Sequence, residues 1–358
     1  MIREQKLHIH PDAGIVATPG STDGEILIDA HPLHEDSVKE DQHTSDGWHF
    51  GTPDWVAGAD EEYFPEVAEC GTNANTAWDE ISRLARWNEE AIEARCEGRY
   101  EAAEQLLRKA LDVTGSNLDH SDPMVLTCSN NLATILQDQA KLEEAEYLFS
   151  RVLDIREDVL GLEDHSTLLS LNNLATVLRD TGRQDEAEQL LRIATAIGDD
   201  ILGKGHKDMC TFANNLAVVL NRREMFEEAE STLRQVIGDR TEQFGGSHPD
   251  TLTSANNLAM VLCDRGKHHD AQMLFRSVLA GREERHGREH PRTCVTVWWL
   301  AHLVGVLGHE SEAITLYQRA ISGFAKSLGE DHPYTVSCQD QLAEMGVLLC
   351  RNMADRVS

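Results

Sequence analysis

The chain has 358 residues and a formal charge of −30, from 32 Lys and Arg against 62 Asp and Glu. Proteins hold phosphate backbones mainly by Lys and Arg neutralisation, so this balance excludes nucleic acid and anionic membrane surfaces as partners, and no Lys/Arg run makes a local exception. No apolar run approaches the ~18 residues needed to span a bilayer, and the start, MIREQKLHIHPDAG, lacks the apolar core of a signal peptide. The eight cysteines include no C-x-x-C pair, so the expectation is a cytoplasmic chain with buried, reduced thiols.

The first 75 residues carry 16 Asp or Glu against Arg3, Lys6 and Lys39, and are rich in Gly, Pro, Asp and His. That composition predicts a mostly irregular or disordered acidic extension. Its six histidines, at 8, 10, 31, 34, 43 and 49, show no spacing diagnostic of a metal, so none is expected. The extension ends at TAWDE, where Thr76 and Asp79 form a variant helix-capping box.

From residue 76 to 358 one period governs the chain. Asparagine pairs begin at Asn130, Asn172, Asn214 and Asn256, 42 residues apart. One step back reaches Asn88, and one step forward reaches Trp298. An alanine recurs in the same frame at 103, 145, 187, 229, 271 and 313, usually inside EAE or a near relative. Gly-Arg or Gly-Lys turns precede it in GRYEAAE, GRQDEAE and GKHHDAQ, and SHPDT, EHPRT and DHPYT end at Thr251, Thr293 and Thr335. Fixed self-similarity of this length signals about six stacked units plus a closing helix, not independent domains.

Each period reads as two helices. Leu126, Leu132, Ala133, Ile135 and Leu136 have the mixed 3- and 4-residue spacing of one apolar face. A short turn follows near Ala140, and Leu142, Ala145, Phe149, Val152, Leu153 and Ile155 form a second stripe, stopped by Gly161. Prolines 249, 291 and 333 suit the first turn of a helix. The recurrence of His248, His290 and His332 predicts a cap or loop role rather than a repeated general base.

The stretch HPDTLTSANNLAMVLCDRGKHHDAQMLFRSVL resembles tetratricopeptide repeats, and more narrowly the 42-residue kind of kinesin light chains. The resemblance spans roughly residues 77–349. It implies an all-α, right-handed superhelical solenoid whose first helices line a concave groove and whose second helices form the back. The repeat around Asn172 departs from it, with Asp164-His165 in place of His-Pro, and the next has His206-Lys207. Those departures fall in loops.

In the second repeat, Thr127, Asn130, Thr134, Gln137 and Asp138 share one face of the first helix. Stacking lines up Asn130, Asn172, Asn214 and Asn256, extended by Asn88, as a ladder. A carboxamide offers one acceptor and two donors, which match the C=O and N–H of an extended peptide. The second asparagine of each pair points about 100° away and is expected to bond to an inter-repeat loop. Thr134 and Thr176 lie on the same face, and Arg179 and Arg222 offer cations to an acidic ligand among neighbouring carboxylates. Trp298 interrupts the ladder with His302 one turn on, which makes both candidate ligand contacts, with core filling beside Trp299 as the alternative for the tryptophan.

The extension contains GTPDWVAGADEEYF, which loosely resembles the tryptophan-acidic peptides accepted by kinesin light chain grooves. This makes Trp55 a candidate intramolecular ligand. No phosphate loop, G-x-G-x-x-G, G-x-S-x-G or H-E-x-x-H motif is present, and no cofactor is expected. The expected function is therefore a scaffold or adaptor that binds a peptide segment of another protein in its groove. The alternative is a small-molecule enzyme with a site between extension and groove.

Overall fold

The computed structural model describes residues 73–96, 99–113, 119–203, 205–330, 332 and 334–343. Trp55 and the rest of the chain before residue 73 lie outside them. The helices among the described residues come in pairs: α1 (Asn73–Cys96) with α2 (Tyr100–Val113), α3 (Pro123–Asp138) with α4 (Leu142–Leu160), and α5 (His165–Asp180) with α6 (Gln184–Ile201). Then follow α7 (Lys207–Arg222) with α8 (Phe226–Phe244), α9 (Pro249–Asp264) with α10 (His268–His286), and α11 (Pro291–Val306) with α12 (Glu310–Ser327). A closing helix, α13, covers residues 334–343. Each helix packs on the next, and α1 on α3, α5 on α7, α7 on α9 and α9 on α11 also pack across hairpins. The all-α solenoid expected from the period is what forms, with the odd-numbered helices building one of its sides.

Capping explains where the odd helices from α3 onward start, whereas α1 begins at Asn73, ahead of the capping box expected at Thr76. The side chains of Asp122 and Asp164 accept the backbone N–H two residues on, at 2.8 Å in both cases. In the same column His206, His248, His290 and His332 do so through Nδ1, at 3.2–3.3 Å. Asp164 thus replaces the histidine cap without loss of the motif. Pro249 and Pro291 occupy the first helical turn as expected.

The turn inside each hairpin needs a left-handed residue. Gly182, Gly266 and Gly308 supply it at φ 77–82°, but Ala140 (φ 58°) and Glu224 (φ 61°) occupy the same column. A Cβ in that region costs about 1–2 kcal/mol, partly offset because glycine loses about 0.5–1 kcal/mol more chain entropy on folding. Ala140→Gly and Glu224→Gly should therefore each stabilise the fold by about 0.5–1 kcal/mol. Thermal unfolding of the double variant reads this directly; an unfolding temperature at or below that of the parent rejects the account.

The core is built from repeated small and large positions. Ala91, Ala133, Ala175, Ala217, Ala259 and Ala301 on the odd helices are completely buried, as are Ala103, Ala145, Ala187, Ala229, Ala271 and Ala313 on the even ones. Phe149, Leu191, Leu233, Phe275 and Tyr317 fill one further column. Cys128, Cys294 and Cys338 are buried, and burial pushes their thiols up to about 12, so they behave as apolar filler.

Two polar devices tie each hairpin to the next. The second Glu of the EAE segment meets the turn of the following repeat: Glu104 with Lys141, Glu146 with Arg183, Glu230 with Lys267. Burial raises the Glu230 carboxyl, but hydrogen bonds from Lys267, Arg265 and Arg234 outweigh it and hold it down at about 2. The other device is a buried arginine. Arg156, Arg240 and Arg282 reach from an even helix to the start of the next odd one. Their Nη1 donates to the carbonyls of Ser166, Asp250 and Arg292 and to the hydroxyls of Ser170, Ser254 and Thr296, all at 2.7–2.9 Å. The series is interrupted between Arg156 and Arg240, where Gly198 stands in the arginine column and Phe212 in the hydroxyl column, and it ends at Phe324 and Cys338. At the interruption Met209 Sδ takes the place that a Cβ on residue 198 would need.

Candidate peptide-binding face

The odd helices carry nearly all the predicted ligand contacts, and their asparagines form a continuous ladder. Asn131 Nδ2 donates to Asn88 Oδ1 (2.7 Å), Asn173 to Asn130 (3.0 Å), Asn215 to Asn172 (2.8 Å) and Asn257 to Asn214 (3.2 Å). The second asparagine does turn toward a neighbouring repeat, but its partner is the first asparagine of the preceding hairpin, not a loop. Every rung spans 43 residues, so it fixes the register of consecutive hairpins. Each contributes about 0.5–1.5 kcal/mol net.

This corrects the expected use of the first asparagine. Asn88, Asn172, Asn214 and Asn256 are only 0%, 7%, 8% and 4% exposed. Their carbonyl oxygens are occupied by the next repeat; Asn214 Oδ1 also accepts from Ser254, and Asn256 Oδ1 accepts from Thr296. Only Asn130 is half-exposed. The second asparagines, Asn173, Asn215 and Asn257, are the more exposed members of their pairs. Among the described residues no hydrogen bond reaches Oδ1 of Asn215 or Asn257, so those acceptors face the solvent side.

A second ladder runs two turns further on. Arg95 Nε donates to Asp138 (2.6 Å), Gln137 Nε2 to Asp180 (2.7 Å), and Asn221 Nδ2 to Asp264 (2.6 Å). Between them, Arg222 Nη1 donates to the Arg179 carbonyl at 3.0 Å. These pairs also span 43 residues. The polar columns were visible in the sequence, but their charges read as a ligand surface. What separates the two readings is the register, since a donor column lying one residue before an acceptor column of the next repeat is the mark of a rung.

Other candidates sort by exposure. Thr134 and Thr176 are half-exposed, with hydroxyls donating to the carbonyls of Asn130 and Asn173. Arg179 is buried against Asp180 at 2.8 Å, so it is not an open cation for a ligand. Arg222 is half-buried, and desolvation lowers its pKa. Trp298 is corrected outright. It is 3% exposed, its Nε1 donates to Gln341 at 2.8 Å, and its ring meets Phe324 and Tyr334 edge-on. It fills the joint between α11 and α13. His302 is exposed on α11 beside Trp299, with ring centroids 6.3 Å apart, and desolvation lowers its pKa against the opposing charge of Asp264. Among the described residues no group of three or more His, Cys, Asp or Glu is placed to hold a metal. No helix among them is long and apolar enough to cross a membrane.

Paired helices of this length, stacked in a 42-residue register by side-chain rungs, define a helical-repeat scaffold. A tetratricopeptide repeat profile matches residues 91–158, 125–199, 208–284 and 252–321, and the chain belongs to the tetratricopeptide repeat family. No curated protein matches it. Among solved structures it is similar to a kinesin light chain-type protein of Podosopora anserina with nearly identical TPR-like repeats, at 26% identity over 57% of this chain and 96% of the other, TM-score 0.50. It also shares its fold with a Rap protein complexed with competence and sporulation factor (13% identity, 75% and 89% of the two chains, TM-score 0.50). The apo form of RapI is a further fold relative (9% identity, 76% and 99%, TM-score 0.51). The repeats are of the kinesin-light-chain-like kind, and the chain is a protein-interaction scaffold.

Proposed function

We propose that this scaffold is an adaptor that holds an extended peptide of another protein along the face of its odd-numbered helices. The observation that carries the reading is the run of half-exposed polar groups along successive odd helices: Asn130 and Thr134 on α3, Asn173 and Thr176 on α5, and Asn215 and Arg222 on α7. The open Oδ1 atoms of Asn215 and Asn257 are placed to accept peptide N–H groups. The asparagine ladder beneath them acts as a rigid backing, which lowers the ordering cost of binding. A partner of this kind binds through several weak bonds of about 0.5–1.5 kcal/mol each, so length and register matter more than any single residue.

Substituting the ladder asparagines would disturb the stack as well as the face, so the test uses side chains that lie outside the rungs. Thr134→Arg combined with Val218→Arg places two bulky cations on α3 and α7 without removing a rung. A partner captured and identified with the wild-type chain should bind the double variant at least about tenfold more weakly, a loss of about 1.4 kcal/mol. Equal affinity of the two proteins, with equal unfolding temperatures, rejects this face as the binding surface.

A further inference from the structure

The second asparagines leave one acceptor per hairpin at a fixed interval. Asn173, Asn215 and Asn257 occupy one column, 42 residues apart, on α5, α7 and α9, and all three are half-exposed. Each spends its Nδ2 on the preceding hairpin, at 2.8–3.2 Å, which holds the amide in place. Among the described residues no donor reaches Oδ1 of Asn215 or of Asn257. Oδ1 of Asn173 takes its neighbour Asn172, at 3.4 Å, and keeps a lone pair. The column ends on both sides, because Asn131 is buried and the position after Asn257 is Trp299. One turn along the same helices, Thr176, Val218 and Met260 form a parallel column, also half-exposed and apolar over two hairpins. The charges of this face are spent within it. Asp180 takes Gln137 and Arg179, Arg222 donates to the Arg179 carbonyl, and Asp264 takes Asn221. What the face offers a ligand is therefore neutral: fixed acceptors in one row, with an apolar row beside them.

The interval between acceptors selects the backbone that fits them. α5 packs on α7 and α7 on α9, and packed helices lie about 8–10 Å apart. A polyproline II chain rises about 3.1 Å per residue with three residues per turn, so it turns an N–H to the same side about every 9 Å. Six residues of it span two intervals and bring three N–H groups onto three acceptors. A β-strand repeats its facing every two residues, about 6.6–6.8 Å. It reaches the outer two acceptors and turns the middle N–H away. An α-helical ligand has its N–H groups bonded internally and offers none along its length.

We infer that the row of Asn173, Asn215 and Asn257 takes an uncharged, proline-rich segment of a partner protein in the polyproline II conformation, gripping it once per hairpin. This rests on the reading of the odd-helix face as a peptide site and adds the class of sequence it selects. Every third ligand residue is other than proline, since its N–H is the donor. The two residues between are prolines, whose rings hold the conformation, lie against Val218 and Met260, and lower the ordering cost of binding. Charged side chains add nothing, because the charges of the face are already engaged.

The probes are three capped synthetic nonapeptides titrated into the full chain: three repeats of Pro-Pro-Ala, three repeats of Gly-Gly-Ala, and nine prolines. The first has an N–H at every third residue of a chain set for polyproline II. The second keeps those N–H groups without the conformation, and the third keeps the conformation without any N–H. Binding is followed on the Met260 methyl resonance, assigned with Met260→Leu. The Pro-Pro-Ala peptide should move that signal and bind at least about tenfold more tightly than either control. Val218→Glu leaves every asparagine rung in place and sets a carboxylate where a proline ring lies, so it should weaken this peptide about tenfold. The inference is overturned by equal binding of the three peptides, by an unmoved Met260 signal, or by unchanged binding to a folded Val218→Glu chain. If a captured partner still loses affinity in Thr134→Arg/Val218→Arg while the three peptides do not differ, the ligand class is rejected and the face stands.

Discussion

Arg240→Ala should destabilise the chain by about 3–5 kcal/mol, the combined cost of a cavity at a buried long side chain and of polar groups left without their donor. The guanidinium is buried, and its Nη1 donates at 2.9 Å to the Asp250 carbonyl and at 2.7 Å to Ser254 Oγ. Its Nη2 reaches Thr211 Oγ1 at 3.2 Å. Truncation leaves a carbonyl and two hydroxyls without their donor, and opens a void between α8 and α9. The chain contains its own repair. Two helices earlier the same three positions are Gly198, Met209 and Phe212, an apolar plug that replaces the staple. Arg240→Gly/Thr251→Met/Ser254→Phe should therefore recover most of the stability lost by Arg240→Gly alone. Denaturant unfolding of the two variants and the parent measures the coupling. If the triple variant is no more stable than Arg240→Gly, the two solutions are not interchangeable.

That plug shows why some of the molecule was legible in the sequence and some was not. The 42-residue frame, the alanine columns and the hairpin boundaries follow from periodicity, because a residue that must be small or apolar in one repeat must be so in all. The staple was missed because its signal is a pair of columns 14 residues apart, Arg156 with Ser170 and Arg240 with Ser254, that change together. Composition along one helix cannot display it. The asparagines were read with the right periodicity and the wrong partner. An amide on a helix face looks the same whether it faces a ligand or the amide of the next hairpin; only the 43-residue offset of Asn173 on Asn130 distinguishes them. Trp298 follows the same logic. Its place in the asparagine column suggested a groove, whereas the column is an inter-repeat joint, and there an indole donating to Gln341 does what a carboxamide does elsewhere. The joint between α9 and α11 is the place where that substitution fails, since Trp299 Nε1 is buried without an acceptor among the described residues.

The joint between α10 and α11 should make the fold sensitive to mild acid. His290 caps α11 by accepting the Arg292 N–H on Nδ1, and its ring stacks on His286 at 4.6 Å. Desolvation, then the neighbouring His286, Arg292 and Arg282, pull His290 down to about 3. Desolvation and the charges of Arg292, Arg285 and Arg282 pull His286 down to about 4. Both folded values lie below the ordinary 6.5, so the unfolded chain binds more protons between those limits. The stability these groups contribute is complete above pH ~6.5 and is lost progressively as pH falls toward the folded values. Protonating Nδ1 removes an N-cap worth about 1 kcal/mol and places a cation at a helix N-terminus, at a further cost of about 0.3–1 kcal/mol. Asp122 and Asp164 show that a carboxylate serves in the same column without this liability. His290→Asp should thus keep the cap, gain attraction to Arg282 and Arg292, and move the onset of acid destabilisation into the carboxylate range, below pH ~4.5. Unfolding temperatures at pH 7.5 and pH 5 decide it: the wild type should lose more between the two than His290→Asp does. Identical losses would place the acid response in another part of the array.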